Sequence, residues 1–427
     1  MTSTAPAAPA TPGAPVAVVV DAYSVGKHLA PVFRARGADV VHVQSTERFI
    51  PGVHPPDLTP YIDNIVAVDV ESALRRLAAH RPVCVVPGQE TGVPLADLLS
   101  ERLGLPGNGS AQTTARRDKY EMIETLRAAG VACARQHKSG DARDIVEWAE
   151  RQGEYPVVVK PLSSASADGV SICRDAADVR AAAEALLGTT DIFHRTNTEI
   201  LVQSYLDGTE YVVDTVSCQG HRHLCGVWRY EKNDLGAKRI YDKETLLAPD
   251  SAPVAELAAY VDTVLAALGL RSGAAHAEVM MTAAGPVLVE IGARLNGSMD
   301  PAFHDLCLDA NQADLLALSY LDPARYLRRF PGDTVYRRAR HALVHNARGL
   351  QDGVVTGVDD AVLTKIQALP SVRLVLPRAA VGDRIRTTTD LLSSPLRVYL
   401  AADDPRTIRD DYDEITTLKD HVYQVAD

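Results

Sequence analysis

The chain lacks the features that define several large classes of protein. Its six cysteines are scattered, with no C-x-x-C pair and no short regular spacing. Neither a disulfide framework nor a zinc site is therefore predicted. No apolar run is long enough to span a membrane. Residues 1–15 are rich in Ala, Pro and Thr and contain no cationic or apolar block, so we predict a disordered segment and not a signal peptide. These absences favour a cytoplasmic protein.

Basic charge is also scarce. The 44 Lys and Arg residues are outnumbered by 55 Asp and Glu residues, which gives a formal net charge of −11. We expect no nucleic-acid partner for such an acidic chain. The phosphate-binding P-loop is missing as well, because Asp21 stands where that motif requires a glycine five residues before Gly26-Lys27. A bound polyanion would therefore need another basic site or a metal.

The first hundred residues alternate predicted strands and helices, and a chain of 427 residues is expected to form two or three packed units. The apolar runs Val16–Val20, Val40–Val43, Ile65–Val68 and Val83–Val86 are the predicted strands, and their alternation with helices predicts a parallel α/β sheet. Glu90 follows the fourth strand, at the edge where such sheets bind ligands. Its carboxylate is interpreted either as a ligand for a substrate ammonium or as a cap of the following helix.

A long helix is predicted from Ser110, as its N-cap, to Ala129, where Gly130 ends it. The helix carries the basic run 116–119. By default such a run lies on a solvated face.

A second informative stretch is the predicted strand 155–161, which contains Lys160 near its end. The residues that follow, 162–169, are small and rich in hydroxyl groups, so backbone N–H groups there can approach a phosphate closely. A lysine at the end of the preceding strand adds a positive charge. An ordinary flexible hairpin loop is the alternative interpretation.

The third stretch is a predicted hairpin of two strands, Ala275–Met281 and Val287–Ile291, joined by residues 283–285. If the hairpin is centred on Ala284, Glu278 lies opposite Glu290 and both side chains share one face. Directly opposed like charges are destabilising, so a cation is expected between them. Paired carboxylates together with substrate phosphates are ligands that Mg²⁺ prefers. A solvated hairpin with two exposed glutamates is the alternative.

In this order, these stretches resemble the ATP-grasp superfamily from about Val16 onward. The pattern comprises a helix lysine, a strand-end lysine with a small-residue loop, the hinge-like run 201–210 (LVQSYLDGTE), and two glutamates on facing strands. The resemblance implies an α/β protein of ATP-grasp fold, with an N-terminal parallel α/β domain, a central lid domain and a C-terminal α+β catalytic domain with a closing module. The implied segments after the disordered residues 1–15 are 16–110, 111–205, 206–330 and 331–427.

The resemblance also implies roles for individual residues. Lys119 and Lys160 would contact the phosphates of ATP, and Glu278 and Glu290 would hold Mg²⁺, as two ions. The remaining implied ATP-binding residues are Ser163, Ser164, Ser166 and Gly169 in the phosphate lid, and Gln203, Ser204, Tyr205, Leu206 and Glu210 around the adenine and ribose.

The run from Glu290 to Arg294 narrows the resemblance. Many members have an asparagine ligand two residues after the second glutamate, whereas this chain has Gly292. The run EIGAR is similar to the corresponding run in L-amino-acid ligases of the alanine–anticapsin ligase and dapdiamide synthetase type. That likeness implies that Arg294 stabilises an acyl phosphate and a later tetrahedral state. The implied neighbours are Asn296 and Gly297 beside the reaction, and Glu90 and Ser298 as substrate contacts.

The activity implied is ATP-dependent formation of an amide bond between a carboxylate and an amine, through an acyl phosphate, with release of ADP and phosphate. The partners would be two small-molecule substrates and, by analogy, a second copy of the chain in a homodimer. A carboxylase or purine-type ligase that activates bicarbonate or formate is one alternative, although no Met-Lys-Met-like biotinylation site occurs. A non-catalytic nucleotide-binding protein is the other.

Overall fold

The computed structural model describes residues 8–50, 54–163, 169–190, 195–235 and 238–426. Two residues of the predicted phosphate lid, Ser164 and Ser166, lie outside the described residues. Within these ranges, no helix combines the length and the apolar character that crossing a membrane would require.

The N-terminal part is the predicted parallel α/β sheet. Its strands are β1 (Val16–Val20), β2 (Asp39–Gln44), β3 (Asp63–Val66) and β4 (Pro82–Pro87). They are parallel and lie in the order β3-β2-β1-β4. The helices are α1 (Leu29–Ala35), α2 (Val70–His80) and α3 (Val93–Arg102). The valine-rich β1 is buried along its whole length, as expected for a parallel strand covered on both faces.

The central part is a four-stranded antiparallel sheet with three helices. Its strands are β5 (Gln136–Ser139), β6 (Val157–Pro161), β7 (Ser171–Cys173) and β8 (Ile200–Ser204), in the order β5-β8-β6-β7. Its helices are α4 (Lys119–Ala128), α5 (Ala142–Gln152) and α6 (Ala176–Leu186). Because β6 and β7 are antiparallel neighbours, the predicted phosphate loop is the connection of a hairpin. Gly169 ends this loop with φ +70°, and a Cβ there would lie 2.8 Å from Pro161 Cγ, so the position requires glycine.

The predicted helix from Ser110 is wrong in its first half. Helix α4 begins at Lys119, because the Asp118 side chain accepts hydrogen bonds from the N–H groups of Tyr120 and Glu121 and so forms the N-cap. The basic run 116–119, at the start of this helix, does not lie on a solvated face, since Arg116 is buried with 1% of its surface exposed.

The remaining chain builds one large sheet and one small one. The elements before the predicted boundary at residue 330 are β9 (Thr209–Cys218), β10 (His221–Leu235), β11 (Lys238–Leu246), α7 (Ala252–Ala267), β12 (Gly273–Thr282), β13 (Gly285–Gly292), α8 (Pro301–Cys307), α9 (Gln312–Leu321) and α10 (Pro323–Arg329). Those after it are β14 (Thr334–Val335), β15 (His341–Ala347), β16 (Gly353–Val358), α11 (Asp360–Gln367), β17 (Val372–Pro377), β18 (Arg384–Ile385), β19 (Leu396–Ala402), α12 (Pro405–Leu418) and β20 (Tyr423–Ala426).

The large sheet has the order β13-β12-β9-β10-β11-β15-β19-β17, with β14 beside β10, and the small sheet has the order β18-β16-β20. Strands from both sides of residue 330 therefore share one sheet. Since directly paired residues point to the same face of a sheet, the register identifies the polar side chains that share the face of Glu278. On successive strands these are Asp214, Tyr230, Glu244, Asn346, Arg397 and Tyr399.

The hairpin β12–β13 places Glu278 directly opposite Glu290, as predicted. The predicted three-residue connection is wrong, because Thr282 pairs with Gly285 across a two-residue turn. That turn alone would set Glu278 against Val289. A β-bulge between Glu278 and Val279 leaves Val289 unpaired and restores the opposition of the two carboxylates.

Arg116 ties the N-terminal part to the catalytic part. Its guanidinium lies 2.8 Å from the Asp97 carboxylate and donates to the carbonyls of Gly109 at 2.8 Å and Leu268 at 3.0 Å. This buried, multiply bonded cation has a structural role.

We expect Arg116→Met to lower the free energy of unfolding by about 3–5 kcal/mol, because it leaves the Asp97 carboxylate buried without its cation. Urea denaturation measures the loss. The matched control is Arg143→Met, whose side chain is 80% exposed and whose replacement should cost less than about 0.5 kcal/mol. Equal losses in the two variants would contradict this structural role.

Candidate active site

The opposed carboxylates are surrounded by cationic and hydrogen-bonding groups. Lys119 Nζ lies 2.5 Å from Glu290 Oε2. His276 Nε2 lies 3.6 Å from Glu278 Oε1, and the Tyr241 hydroxyl donates to Glu278 Oε2 at 3.4 Å. The alternative of a solvated hairpin with two exposed glutamates is therefore wrong.

The charge state of this cluster suits a divalent cation. Burial alone would raise the pKa of Glu290, but Lys119, Lys160 and Arg294 outweigh it and hold this pKa well below its usual range. Glu290 is thus an anion at neutral pH, as a metal ligand must be. Among the described residues, no group of three or more His, Cys, Asp or Glu side chains forms a metal site by itself. Two carboxylates fit Mg²⁺, which takes its other ligands from substrate phosphates and water.

The predicted phosphate contacts come together at the end of β6. Lys160 is buried, and its ammonium donates to Gln203 Oε1 at 3.0 Å. Burial and the nearby Lys119 lower the pKa of Lys160 to about 8, which leaves it mainly protonated at pH 7. The Lys119 N–H donates to Leu162 O at 3.1 Å, so the start of α4 lies against this loop. Ser163 Oγ is buried and has no hydrogen-bond partner among the described residues. A phosphate would satisfy it.

The hinge after β8 is only partly available to a nucleotide. The Gln203 side chain is occupied, because it accepts from Lys160 and donates to Gln136 Oε1 at 3.3 Å. The Ser204 N–H donates to Arg135 O at 2.8 Å, so this backbone group is already engaged. The Ser204 carbonyl, Tyr205 and Leu206 remain the candidates for adenine contact.

Glu210, the predicted ribose ligand, lies on the same sheet face as Glu278, because it pairs with Met280 two positions along β12. Both of its carboxylate oxygens contact Lys232 Nζ, at 2.6 and 2.8 Å. That ammonium also lies 4.1 Å from the centre of the Tyr241 ring. The sequence analysis missed Lys232.

Glu90 reaches the catalytic hairpin from the N-terminal part. Its Oε1 lies 2.8 Å from Arg294 Nε, a contact that pairs the charges but lacks hydrogen-bond geometry. Its Oε2 is bound by Arg117. Glu90 does not cap the helix that follows, because it is the first residue of a short 3-10 turn, Glu90–Gly92, and α3 begins after Gly92 without a side-chain cap. A Cβ on Gly292 would lie 2.3 Å from Glu90 Oε1, so the missing asparagine of the usual pattern makes room for this carboxylate.

The segment after Arg294 is held by buried polar groups. Asn296 Nδ2 donates to Asp214 Oδ2 at 2.8 Å, and the other oxygen of Asp214 lies 2.9 Å from His276 Nδ1. Burial lowers the pKa of His276, but Asp214 and Glu278 more than compensate and raise it to about 9. The Ser298 hydroxyl donates to Glu244 Oε1 at 2.7 Å, so this predicted substrate contact is already engaged.

Gly297, between Asn296 and Ser298, is the exposed residue of this segment. A Cβ there would meet nothing within 4 Å. The predicted catalytic position therefore faces open space in which a substrate can bind.

Several site residues escaped the sequence analysis. Asp214 offered a signal, because it is the charged residue of the otherwise uncharged run 211–218 in β9, and a buried charge needs partners. Arg117, Lys232 and Glu244 carry no such local signal, and only the folded structure brings them to the site.

Comparison with known proteins agrees with this geometry. Residues 153–301 match the ATP-grasp domain family. The chain is 36% identical over 420 residues to dapdiamide A synthase of Enterobacter agglomerans, covering 96% of this chain and 97% of that protein.

Two solved structures share the fold at lower identity. An L-amino acid ligase from Bacillus licheniformis superposes with a TM-score of 0.75 at 19% identity, over 96% of this chain and 98% of the other. The N5-carboxyaminoimidazole ribonucleotide synthetase from Thermotoga maritima gives 0.67 at 15%, over 96% and 99%.

The predicted α/β ATP-grasp fold is thereby confirmed, and ATP and Mg²⁺ are the nucleotide and metal of this class of enzyme. The chain belongs to the ATP-grasp family, as an ADP-forming ligase that joins a carboxylate to an amine.

Proposed function

We propose that this ligase activates an amino acid with a free amino group and joins it to the amine of a second substrate. The observation that carries the proposal is the Glu90–Arg294 pair at 2.8 Å, beside the metal-binding strand. A zwitterion presents the complementary pair of charges, an ammonium for Glu90 and a carboxylate for Arg294.

The first step is transfer of the γ-phosphoryl group. A carboxylate oxygen of the substrate attacks the γ-phosphorus, the bond from this phosphorus to ADP breaks, and an acyl phosphate forms. Lys119 and Lys160 bind the phosphates and offset their charge, and Ser163 and Gly169 contribute the lid. Mg²⁺, proposed as two ions, would be held by Glu278 and Glu290 and would supply further charge neutralisation.

The second step is attack of the amine on the acyl carbon. A tetrahedral oxyanion forms, the C–O bond to phosphate breaks, and the amine nitrogen loses a proton. Arg294 stabilises the oxyanion together with the N–H of Gly297. The Asn296 carbonyl accepts from Met299 N–H at 3.1 Å. The Gly297 N–H belongs to the same planar peptide unit and points the opposite way, and it donates to no acceptor among the described residues.

The substrate class follows from the charges. Bicarbonate and formate have no ammonium, so the buried Glu90 beside Arg294 disfavours the carboxylase and purine-type alternatives. The names of two relatives, dapdiamide A synthase and L-amino acid ligase, point the same way. A decayed site is disfavoured because Lys119, Lys160 and both hairpin glutamates form their contacts together.

Phosphate release from ATP and Mg²⁺, measured with pairs of amino acids and followed by mass spectrometry, tests the proposal. ADP with a product of the summed substrate masses minus water supports it. Phosphate release that requires bicarbonate, or ATP binding without turnover for every pair, counts against it.

We expect Arg294→Met to lower kcat for amide formation by about 10²–10³-fold, the usual cost of losing an oxyanion donor. The Kd for ATP should change little. Arg337→Met, at an arginine whose side chain is 84% exposed, is the matched control and should retain full activity. Normal product formation by Arg294→Met would exclude the assigned role.

We expect Glu90→Gln to raise KM for the amino acid by about 30-fold or more, because the buried charge pair between the Glu90 carboxylate and the substrate ammonium is lost. The deaminated analogue of the same acid separates two explanations. If Glu90 binds the ammonium, only the amino acid suffers; if Glu90 merely orients Arg294, both acids suffer equally, which would contradict the prediction. Glu147→Gln, at a glutamate whose side chain is 65% exposed, controls for loss of charge.

A further inference from the structure

Two donors from strand β19 hold the carbonyl groups of residues 296–298, here named the catalytic segment. Arg397 Nη1 donates to Gly297 O at 3.3 Å, and the Tyr399 hydroxyl donates to Ser298 O at 3.0 Å. The donors lie about 100 residues further along the chain, in the predicted closing module. Successive carbonyls of the segment are therefore bound from one strand.

Arg397 is itself fixed by a buried polar network. Its Nε donates to Asn346 Oδ1 at 2.7 Å, and Asn346 Nδ2 reaches Glu244 Oε1 at 3.5 Å. The Ser298 hydroxyl donates to the same oxygen of Glu244 at 2.7 Å, which closes a ring of contacts back to the segment. Each of these residues has at most 5% of its surface exposed. Buried networks that satisfy every member hold one geometry.

The remaining backbone groups of the segment are also engaged. Asn296 N–H donates to Gln312 Oε1 at 2.9 Å, and Ser298 N–H donates to Asn296 Oδ1 at 2.7 Å. The Asn296 carbonyl accepts from Met299. Within the described part of the chain, the Gly297 N–H is thus the backbone group of this segment that is left for a ligand.

We propose that Arg397 and Tyr399 are positioning residues, which aim the Gly297 N–H at the oxyanion that forms on the acyl carbon by fixing the two carbonyls that follow this N–H. This inference rests on the proposed function. It assigns β19 a role in the amine-attack step, whereas Lys119 and Lys160, which serve phosphoryl transfer, lie on other elements.

Tyr399→Phe removes one donor and keeps the ring. We expect kcat for amide formation to fall about five- to tenfold, the effect of one buried hydrogen bond. The diagnostic readout is the molar ratio of amide to phosphate. A slower second step leaves the acyl phosphate longer in contact with water, so this ratio should fall while the Kd for ATP is unchanged. A smaller folded fraction would lower both products equally and would leave the ratio constant.

The matched control is Tyr412→Phe, which removes a hydroxyl that donates to Asp242 Oδ2 at 2.7 Å, away from the segment. It should leave kcat and the ratio unchanged. Arg397→Met should lower kcat on the order of a hundredfold, as small displacements of reacting groups do, and Arg397→Lys should recover part of the loss.

An unchanged ratio in Tyr399→Phe and Arg397→Met, or an equal fall in Tyr412→Phe, would overturn the positioning role. Failure of the proposed function has a different signature, namely normal amide formation by Arg294→Met. Loss of amide in Arg294→Met with a constant ratio in both Tyr399→Phe and Arg397→Met would overturn the positioning role alone.

Discussion

The opposition of Glu278 and Glu290 across one hairpin is the constraint to which the rest of the site responds. Two carboxylates on one face repel each other, and their burial adds the cost of removing charge from water. Cationic side chains offset this charge: Lys119 comes from the start of α4, and His276 lies two residues before Glu278 on β12. Metal and nucleotide therefore enter a site that is already organised around negative charge.

The large sheet carries this organisation across the molecule. Its register places Glu278 on the same face as Asp214, Glu244 and Arg397. The closing module adds strands to that sheet, and it is not a separate cap placed over the site. Strands of the closing module and the catalytic hairpin therefore belong to one continuous hydrogen-bonded sheet. For this reason a donor on β19 lies close enough to bind the catalytic segment.

Local patterns predicted the fold and part of the site well. The pairing of Glu278 with Glu290 was predicted from a hairpin centred on Ala284, and it holds because a bulge that no local pattern indicates offsets the shorter turn. Capping was predicted less well, because Ser110 and Asp118 are both good N-caps and tertiary contacts decide between them. The burial of Arg116 and the reach of Glu90 to the hairpin depend on contacts between distant segments, about which sequence spacing carries no information.

The missing Cβ at Gly292 links two positions that lie about two hundred residues apart in the chain. A side chain at 292 and the observed conformer of Glu90 cannot occupy the same space. A longer side chain at 292, such as the asparagine that the resemblance to other members would place there, and the Glu90 carboxylate are therefore mutually exclusive. In this chain the space is taken by Glu90, which we propose binds the substrate, so an asparagine introduced at 292 would displace that carboxylate.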